Sequence, residues 1–357
     1  MRSILLGTET MYNTGMKNGF LQWVSIVVLG VVNVSCSLSG APGGQQKASP
    51  IPIVYSPKYK ISVFGMEKLH PFDIAKYDKI YKGLKKDGYV TKASVIDPAE
   101  VTREQMLLIH TENYIESLKK TKNVARYLEA PQLSIIPNSL IDKMIVSRFR
   151  KASGGTIEAA RQALKSKSKM AINLGGGFHH AKPSVGEGFC IIADVPIAIR
   201  VLQNEKLIKR ALIIDTDIHQ GNGTIVCLKG DPSTYTFSMH EGGIYPMPKE
   251  VGDEDVELRA GVTDADYLKI LASKLDEVFA KSKPDIVFHV AGCDALDGDP
   301  LSSGRMTHLG IQKRDAMIVN ACKKYGVPYV MTLSGGYSKD AWNAQYKSIS
   351  TLIADNL

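Results

Sequence analysis

Five cysteines in 357 residues, at positions 36, 190, 227, 293 and 322, leave no pair with the spacing of a zinc ribbon or a redox dithiol. A disulfide framework is therefore not expected, and Cys190 and Cys293, which sit beside polar motifs, read as buried free thiols. No lysine–arginine run is long enough to form a nucleic-acid tract. The 44 basic residues face 36 acidic ones for a net charge of +8, and this mild excess gives no ground to expect direct nucleic-acid binding. No internal repeat is present, and no linker marks a second folded domain. The apolar run from Phe20 to Val32 is too short for a comfortable transmembrane helix. What remains is a globular composition, 44% hydrophobic and 22% charged.

The N-terminus stands apart. Lys17 precedes the apolar run, Ser35-Cys36-Ser37 follows it, and a polar glycine-rich stretch occupies residues 40–46. This order resembles a bacterial lipoprotein signal, with Cys36 as the lipid-anchored residue. Asn33 stands where such signals carry an aliphatic residue. Two readings stay open: an export signal with a membrane or lipid anchor, or an over-extended start (Met16 is a second candidate) on a cytoplasmic protein. Residues 1–48 are accordingly set outside the fold as leader and linker, and 49–357 are read as one catalytic domain.

From Pro52 onward short apolar runs alternate with amphipathic stretches. Strands are expected at Ile53–Tyr55, Met170–Leu174, Ala211–Ile214, Thr234–Met239, Ile286–Val290 and Tyr329–Leu333. Helices are expected at Ile141–Ser166 with a break at Gly154-Gly155, and at Asp194–Asn204, Ala265–Lys281, Ile311–Tyr325 and Lys339–Ile353. Apolar strands separated by helices imply an α/β fold, a parallel sheet covered on both faces. Ligands in such folds bind beyond the carboxyl ends of the strands, and polar clusters follow five of the six runs.

Asp217 and His219 alternate after the third run, so on extended chain their side chains project the same way. Asp294 follows the fifth run. Two carboxylates and an imidazole, with one position left for water, make the pattern of a catalytic metal site rather than a closed structural one. This is the signature of a metallohydrolase.

The motifs Gly176-Gly177-Phe178-His179-His180, Gly186-Glu187-Gly188-Phe189-Cys190, Asp215 to Gly223, Gly292-Cys293-Asp294 with Gly298-Asp299-Pro300, and Ser334-Gly335-Gly336-Tyr337 resemble, in order and spacing, the zinc histone deacetylase family. The likeness runs from about Pro52 to the C-terminus. His70-Pro71-Phe72-Asp73, Gln220 to Gly223 and Ile244-Tyr245-Pro246 look like its class IV branch and bacterial relatives. The resemblance implies the arginase–deacetylase fold: three layers around one parallel sheet of about eight strands, of which periodicity names six. It implies a metal-dependent hydrolase that removes acetyl or longer acyl groups from lysine side chains.

Hydrolysis of so unreactive an amide needs an activated water, a polarised carbonyl and a proton for the leaving amine. The resemblance assigns the metal to Asp217, His219 and Asp294. Zinc is the family's usual ion, and the donor set also suits ferrous iron or cobalt. It makes His180 the general base and later acid, His179 its electrostatic partner, Asp215 the carboxylate beside His179, and Tyr337 the donor to the carbonyl oxygen. Gly188, Phe189 and Tyr245 become the substrate tunnel. A structural potassium ion would take Asp215, Ser238 and the backbones of Asp217, His219 and Met239.

Asn222 replaces the aspartate that orients the second histidine in other branches. An uncharged amide stabilises imidazolium less, so His180 should titrate lower, and Asn222→Asp should raise its pKa. Asp73, Asp299 and His110 read as scaffold or rim residues.

Rival readings are a binuclear manganese ureohydrolase, a dinucleotide-binding oxidoreductase, a deacetylase of small amines such as acetylpolyamines, and a catalytically silent protein-binding module. The first lacks a second aspartate, because Gly221 stands in its place. The second fails because tandem histidines replace the helix start that a pyrophosphate needs.

Overall fold

The computed structural model describes residues 49–357. The leader, Cys36 and the linker lie outside the described residues. All six expected strands are present, and the sheet contains two more: β1 (Ile53–Val54), β2 (Val95–Ile96), β3 (Met170–Asn173), β4 (Ala211–Asp215), β5 (Thr234–Glu241), β6 (Glu254–Leu258), β7 (Ile286–Val290) and β8 (Tyr329–Thr332). Their order is β2-β1-β3-β8-β7-β4-β5-β6, and every described pairing is parallel. The two strands that periodicity missed are the two edges. Val95–Ile96 is half-buried and set between Ser94 and Asp97, so no apolar run marks it. In β6, Glu254, Asp255 and Glu257 put charge on an edge strand, as edges commonly do.

Alternation along each buried strand builds two cores. Leu212, Ile214, Val287, Tyr329 and Met331 join one with helices Lys76–Lys86, Asp264–Ser282, His308–Tyr325 and Ala341–Ala354. Ala211, Ile213, Ile286, Phe288 and Val330 join the other with helices Ser147–Lys165 and Asp194–Asn204. This is the three-layer arrangement. Among the described residues no helix is long and apolar enough to cross a membrane.

The expected break at Gly154-Gly155 is absent, and helix Ser147–Lys165 runs through both glycines. The glycines permit contact instead of a turn. A Cβ at Gly154 would stand 1.9 Å from the Ala99 carbonyl oxygen, and one at Gly155 would stand 2.0 Å from the Tyr59 hydroxyl. The irregular turn lies earlier, as a π-helical segment at Asp142–Val146.

Candidate active site

Register brings the strand ends to one edge. Asp215 of β4 is level with Ser238 of β5 and Val290 of β7, and Val290 is level with Thr332 of β8. The chain segments leaving these strands, with the one leaving β3, carry nearly every candidate residue.

Beyond β3, Gly176 and Gly177 adopt φ of +72° and +79°, left-handed values that favour glycine. Buried Asp194 accepts the Gly177 and Phe178 N–H groups at 2.9 and 2.8 Å and fixes the turn. The chain thus turns as the tandem histidines require, and the two rings lie 4.0 Å apart between centroids.

Asp215 Oδ2 lies 2.8 Å from His179 Nδ1. Burial opposes a charge on His179, but Asp215 and Asp217 outweigh it and raise its pKa to about 9. His180 behaves oppositely. Burial, reinforced by His179 and His219, lowers it well below the usual imidazole value, so it is neutral at pH 7. Its Nδ1 lies 2.7 Å from Asn222 Oδ1, and a neutral ring that donates there has a free lone pair on Nε2. Burial is therefore the largest cause of the low His180 pKa, and the hydrogen bond to Asn222 acts against it. Asn222 in turn donates from Nδ2 to Glu187 Oε1 at 2.6 Å, a partner that sequence reasoning did not supply.

Asp217 and His219 sit in the bend after β4, beyond the strand itself. Their ligand atoms and one from Asp294 lie within 4.8 Å of one another. His219 Nδ1 faces Asp217 Oδ1 at 3.2 Å and Asp294 Oδ2 at 2.9 Å, while its Nε2 lies 3.2 Å from the Leu301 carbonyl oxygen. Against burial, Asp217 and Asp294 raise the His219 pKa well above the usual imidazole value. A metal ion in place of the Nδ1 proton would meet a lone pair there, with Nε2–H donating to Leu301, as in histidine ligands steadied by a backbone carbonyl. The Gly335 N–H donates to Asp217 Oδ2 at 2.8 Å, and the Ile218 N–H to Asp294 Oδ1 at 2.9 Å.

The two carboxylates are driven apart electrostatically. At Asp217 burial is overcome by His179 and His219, which hold it well below the usual range. At Asp294 burial and the Asp217 charge both act to raise it. Such a cluster is built to hold positive charge. It also has room: a Cβ at Gly335 would stand 2.4 Å from both Asp217 Oδ2 and Asp294 Oδ2. Donor chemistry and the space kept by glycine both fit a divalent ion. A Cβ at Gly221 would meet Asp215 Oδ2 at 2.2 Å, so no side chain from that position can enter as a further ligand.

Tyr337 closes the far side, its ring 6.0 Å from His219 and 5.9 Å from Phe189 between centroids. Asp299, read as structural or rim, has a definite task here. Its Oδ2 accepts the Tyr337 and Ser338 N–H groups at 2.7 and 3.0 Å. Phe189 packs on His70 at 4.5 Å, and Tyr245 sets its ring against His180 at 4.9 Å while 39% exposed. His110 is scaffold, bonded to the Lys182 carbonyl and the Ala193 N–H. Ser238 Oγ lies 3.0 Å from His240 Nδ1.

A mostly apolar cavity of about 100 Å³ is lined by Phe189, Gly188, His180, His179 and Tyr337, and also by Tyr59, Ile145, Phe149 and Ala152. It therefore continues inward beyond the histidine pair.

Two buried cations were missed. Lys76, 1% exposed, donates to the Ser334 and Gly335 carbonyls at 2.7 and 2.8 Å. Arg314 donates to the Thr216 and Gly292 carbonyls at 3.2 and 2.6 Å. The signal was available. Lys76 shares the stripe of Ile80 and Leu84, and Arg314 that of Ile311 and Ile318, where spacing puts each on a buried helix face.

The fold and this cluster first define a class: a hydrolytic site of metal type at the edge of a three-layer parallel sheet. Comparison with known proteins then gives the family. The histone deacetylase domain matches residues 70–353. Histone deacetylase 2 of Arabidopsis thaliana is 38% identical over 312 residues, 87% of this chain and 80% of its own length. Acetoin utilization protein AcuC of Bacillus subtilis is 29% identical over 306 residues, 81% of this chain and 77% of its own. The crystal structure of the HDA15 HD domain shares the fold, with a TM-score of 0.69 at 22% identity over 85% of this chain and 90% of that one. The chain belongs to the histone deacetylase family.

Proposed function

We propose that this protein is a class IV-like lysine deacylase that hydrolyses the amide of acetyl-lysine or of a lysine carrying a longer acyl chain. The observation that carries the reading is the Asp217–His219–Asp294 cluster set against the histidine pair and Tyr337, which in turn line one mostly apolar cavity. Asp217, His219 Nδ1 and Asp294 would hold the divalent ion, zinc by family habit, and when bound it supplies Lewis acidity to the amide carbonyl and acidity to a water.

The chain's own groups do the rest. His180 Nε2 takes a proton from the attacking water, because Nδ1 is engaged by Asn222. His179, held protonated by Asp215, places positive charge beside the developing tetrahedral centre. The Tyr337 hydroxyl donates to the carbonyl oxygen as it gains charge. As the C–N bond breaks, His180 returns the proton to the lysine nitrogen, leaving a free amine and a carboxylate. Asp215, Ser238 and the backbones of Asp217, His219 and Met239 are proposed to hold a structural potassium ion.

The inner part of the cavity, with Tyr59, Ile145, Phe149 and Ala152 in its wall, supports acyl chains longer than acetyl. Steady-state assays on acetyl-lysine and myristoyl-lysine peptides and on acetylpolyamines test the reading. Turnover of an acyl-lysine, lost with chelator and restored by zinc, iron or cobalt, supports it. Turnover confined to acetylpolyamines selects the small-amine alternative. Absence of any amide hydrolysis in the metal-loaded protein overturns it. Mass spectrometry of the mature N-terminus tests the anchor at Cys36.

A further inference from the structure

We infer that Glu187 is a positioning residue for the reaction proposed above, acting through Asn222 to fix which nitrogen of His180 carries the proton. Asn222 is 2% exposed and stands between the two, with Oδ1 at 2.7 Å from His180 Nδ1 and Nδ2 at 2.6 Å from Glu187 Oε1. An amide has an accepting end and a donating end, and nothing in its shape decides which faces the histidine. Flipped, Asn222 would present its NH2 group to His180 Nδ1. That nitrogen would have to accept, and the ring proton would move to Nε2, which disables the base.

A carboxylate only accepts, so Glu187 admits one orientation. The Asn222 NH2 group points outward to Glu187 and the oxygen points inward to Nδ1–H. The hydrogen bond is charge-assisted and polarises the amide oxygen that His180 sees. The residue that stands where other branches have aspartate thus borrows a carboxylate from the tunnel mouth.

Glu187 is itself held in place. Its backbone forms a two-way bridge with Cys190, at 3.1 and 2.9 Å, around Gly188 and Phe189, whose φ values are +53° and +67°. Its Oε1 also pairs with Lys182 Nζ at 3.0 Å. A Cβ at Gly188 would meet His180 Cδ2 at 2.5 Å, so the turn that carries Glu187 lies directly on the base.

The same geometry changes what Asn222→Asp should do. A second carboxylate there would face Glu187 across the 2.6 Å that now holds a hydrogen bond. The two charges would repel, and the simple gain in imidazolium stability expected from the sequence would be opposed.

The test is a double-mutant cycle on the full chain, metal loaded, with kcat and KM separated. Glu187→Ala in the native background should lower kcat about tenfold with little change in KM. Glu187→Gln, which keeps an accepting oxygen, should recover most of the loss. In the Asn222→Asp background the sign should reverse, and removal of Glu187 should raise kcat. A residue that merely held the turn or Lys182 would lower kcat alike in both backgrounds, and that result overturns the inference, as does a native-background kcat that does not change.

A second readout is independent of activity. The ¹⁵N shifts of the His180 ring should report Nδ1–H in the native protein and a mixture of tautomers in Glu187→Ala. Nδ1–H in both proteins overturns the inference. If the native protein hydrolyses no acyl amine, the deacylase reading fails by itself, while the ring shifts still decide the role of Glu187.

Discussion

A single methyl group at Gly335 should weaken metal binding at least about 100-fold without unfolding the protein. Gly335 lies outside the left-handed region, so its backbone accepts alanine. The obstacle is space, since the new Cβ would stand 2.4 Å from Asp217 Oδ2 and equally from Asp294 Oδ2. Restoring an ordinary contact of roughly 3.2 Å moves each oxygen back by about 0.8 Å, where ligand distances in metal sites hold to about 0.2 Å. Even losses in the outer shell weaken such sites about 10–100-fold, so displacement of two ligands should cost at least 100-fold, about 2.7 kcal/mol. Competition against a fluorescent chelator reads the affinity. Unfolding with added zinc gives a second measure. An ion at about 1,000 times the native Kd adds about 4 kcal/mol, and the same concentration should add only about 1.4 kcal/mol to the variant. Gly243→Ala is the control, because a Cβ there meets nothing within 4 Å. If Gly335→Ala binds zinc within threefold of the native protein, the ion is not held between these carboxylates.

Other predictions follow from the same geometry. Tyr337→Phe should lower kcat by about 10²–10³-fold, on the order of 3 kcal/mol, with KM little changed; a loss confined to KM would remove Tyr337 from the transition state. Gly154→Ala should destabilise by about 2–3 kcal/mol in urea unfolding, because a methyl 1.9 Å from the Ala99 oxygen forces the helix away from its neighbour; a gain of about 1 kcal/mol, as on an open helix surface, would refute that packing argument. Ala152→Leu should shorten the inner cavity and lower turnover of myristoyl-lysine about tenfold more than that of acetyl-lysine; equal losses would place the acyl chain elsewhere. Burial lowers the His110 pKa from 6.5 to about 4. The unfolded chain therefore takes up this proton first as pH falls, and stability present above pH 6.5 should be lost progressively down to about pH 4. The contribution is about 3 kcal/mol. His110→Gln, which can still accept from Ala193 and donate to Lys182, should flatten that part of the stability profile; an unchanged slope would assign it to other groups.

Much of the fold was legible because buried parallel strands write themselves as apolar runs, and six of the eight did. The edges β2 and β6 did not, since one is a half-buried pair set between Ser94 and Asp97 and the other mixes charge with apolar residues. The candidate metal cluster was legible because all three of its members stand just past strand ends, and the topology of the sheet, which periodicity cannot give, makes those ends neighbours. Glu187 was visible in its motif, but nothing local ties position 187 to position 222; only the turn at Gly188 and Phe189 folds one over the other. Gly154 and Gly155 misled for a physical reason. Glycine signals both freedom to turn and room to touch, and a sequence does not say which is used.

Lys76 and Arg314 are buried behind the carboxylates of the site. Neither cation stands between the carboxylates. Lys76 grips the carbonyls of Ser334 and Gly335, and Arg314 those of Thr216 and Gly292, so each braces a backbone segment adjacent to a ligand. Burial lowers the Lys76 pKa while Asp294, Asp217 and Asp299 push it back up, and the lysine therefore feels the site's charge without occupying its centre. A lysine or arginine reaching between Asp217 and Asp294 would form an ordinary buried ion pair and leave nothing to catalyse with. Withdrawing both cations behind the loops, and keeping residue 335 a glycine, leaves the position in front of His219 Nδ1 open to the ion of the reading proposed above.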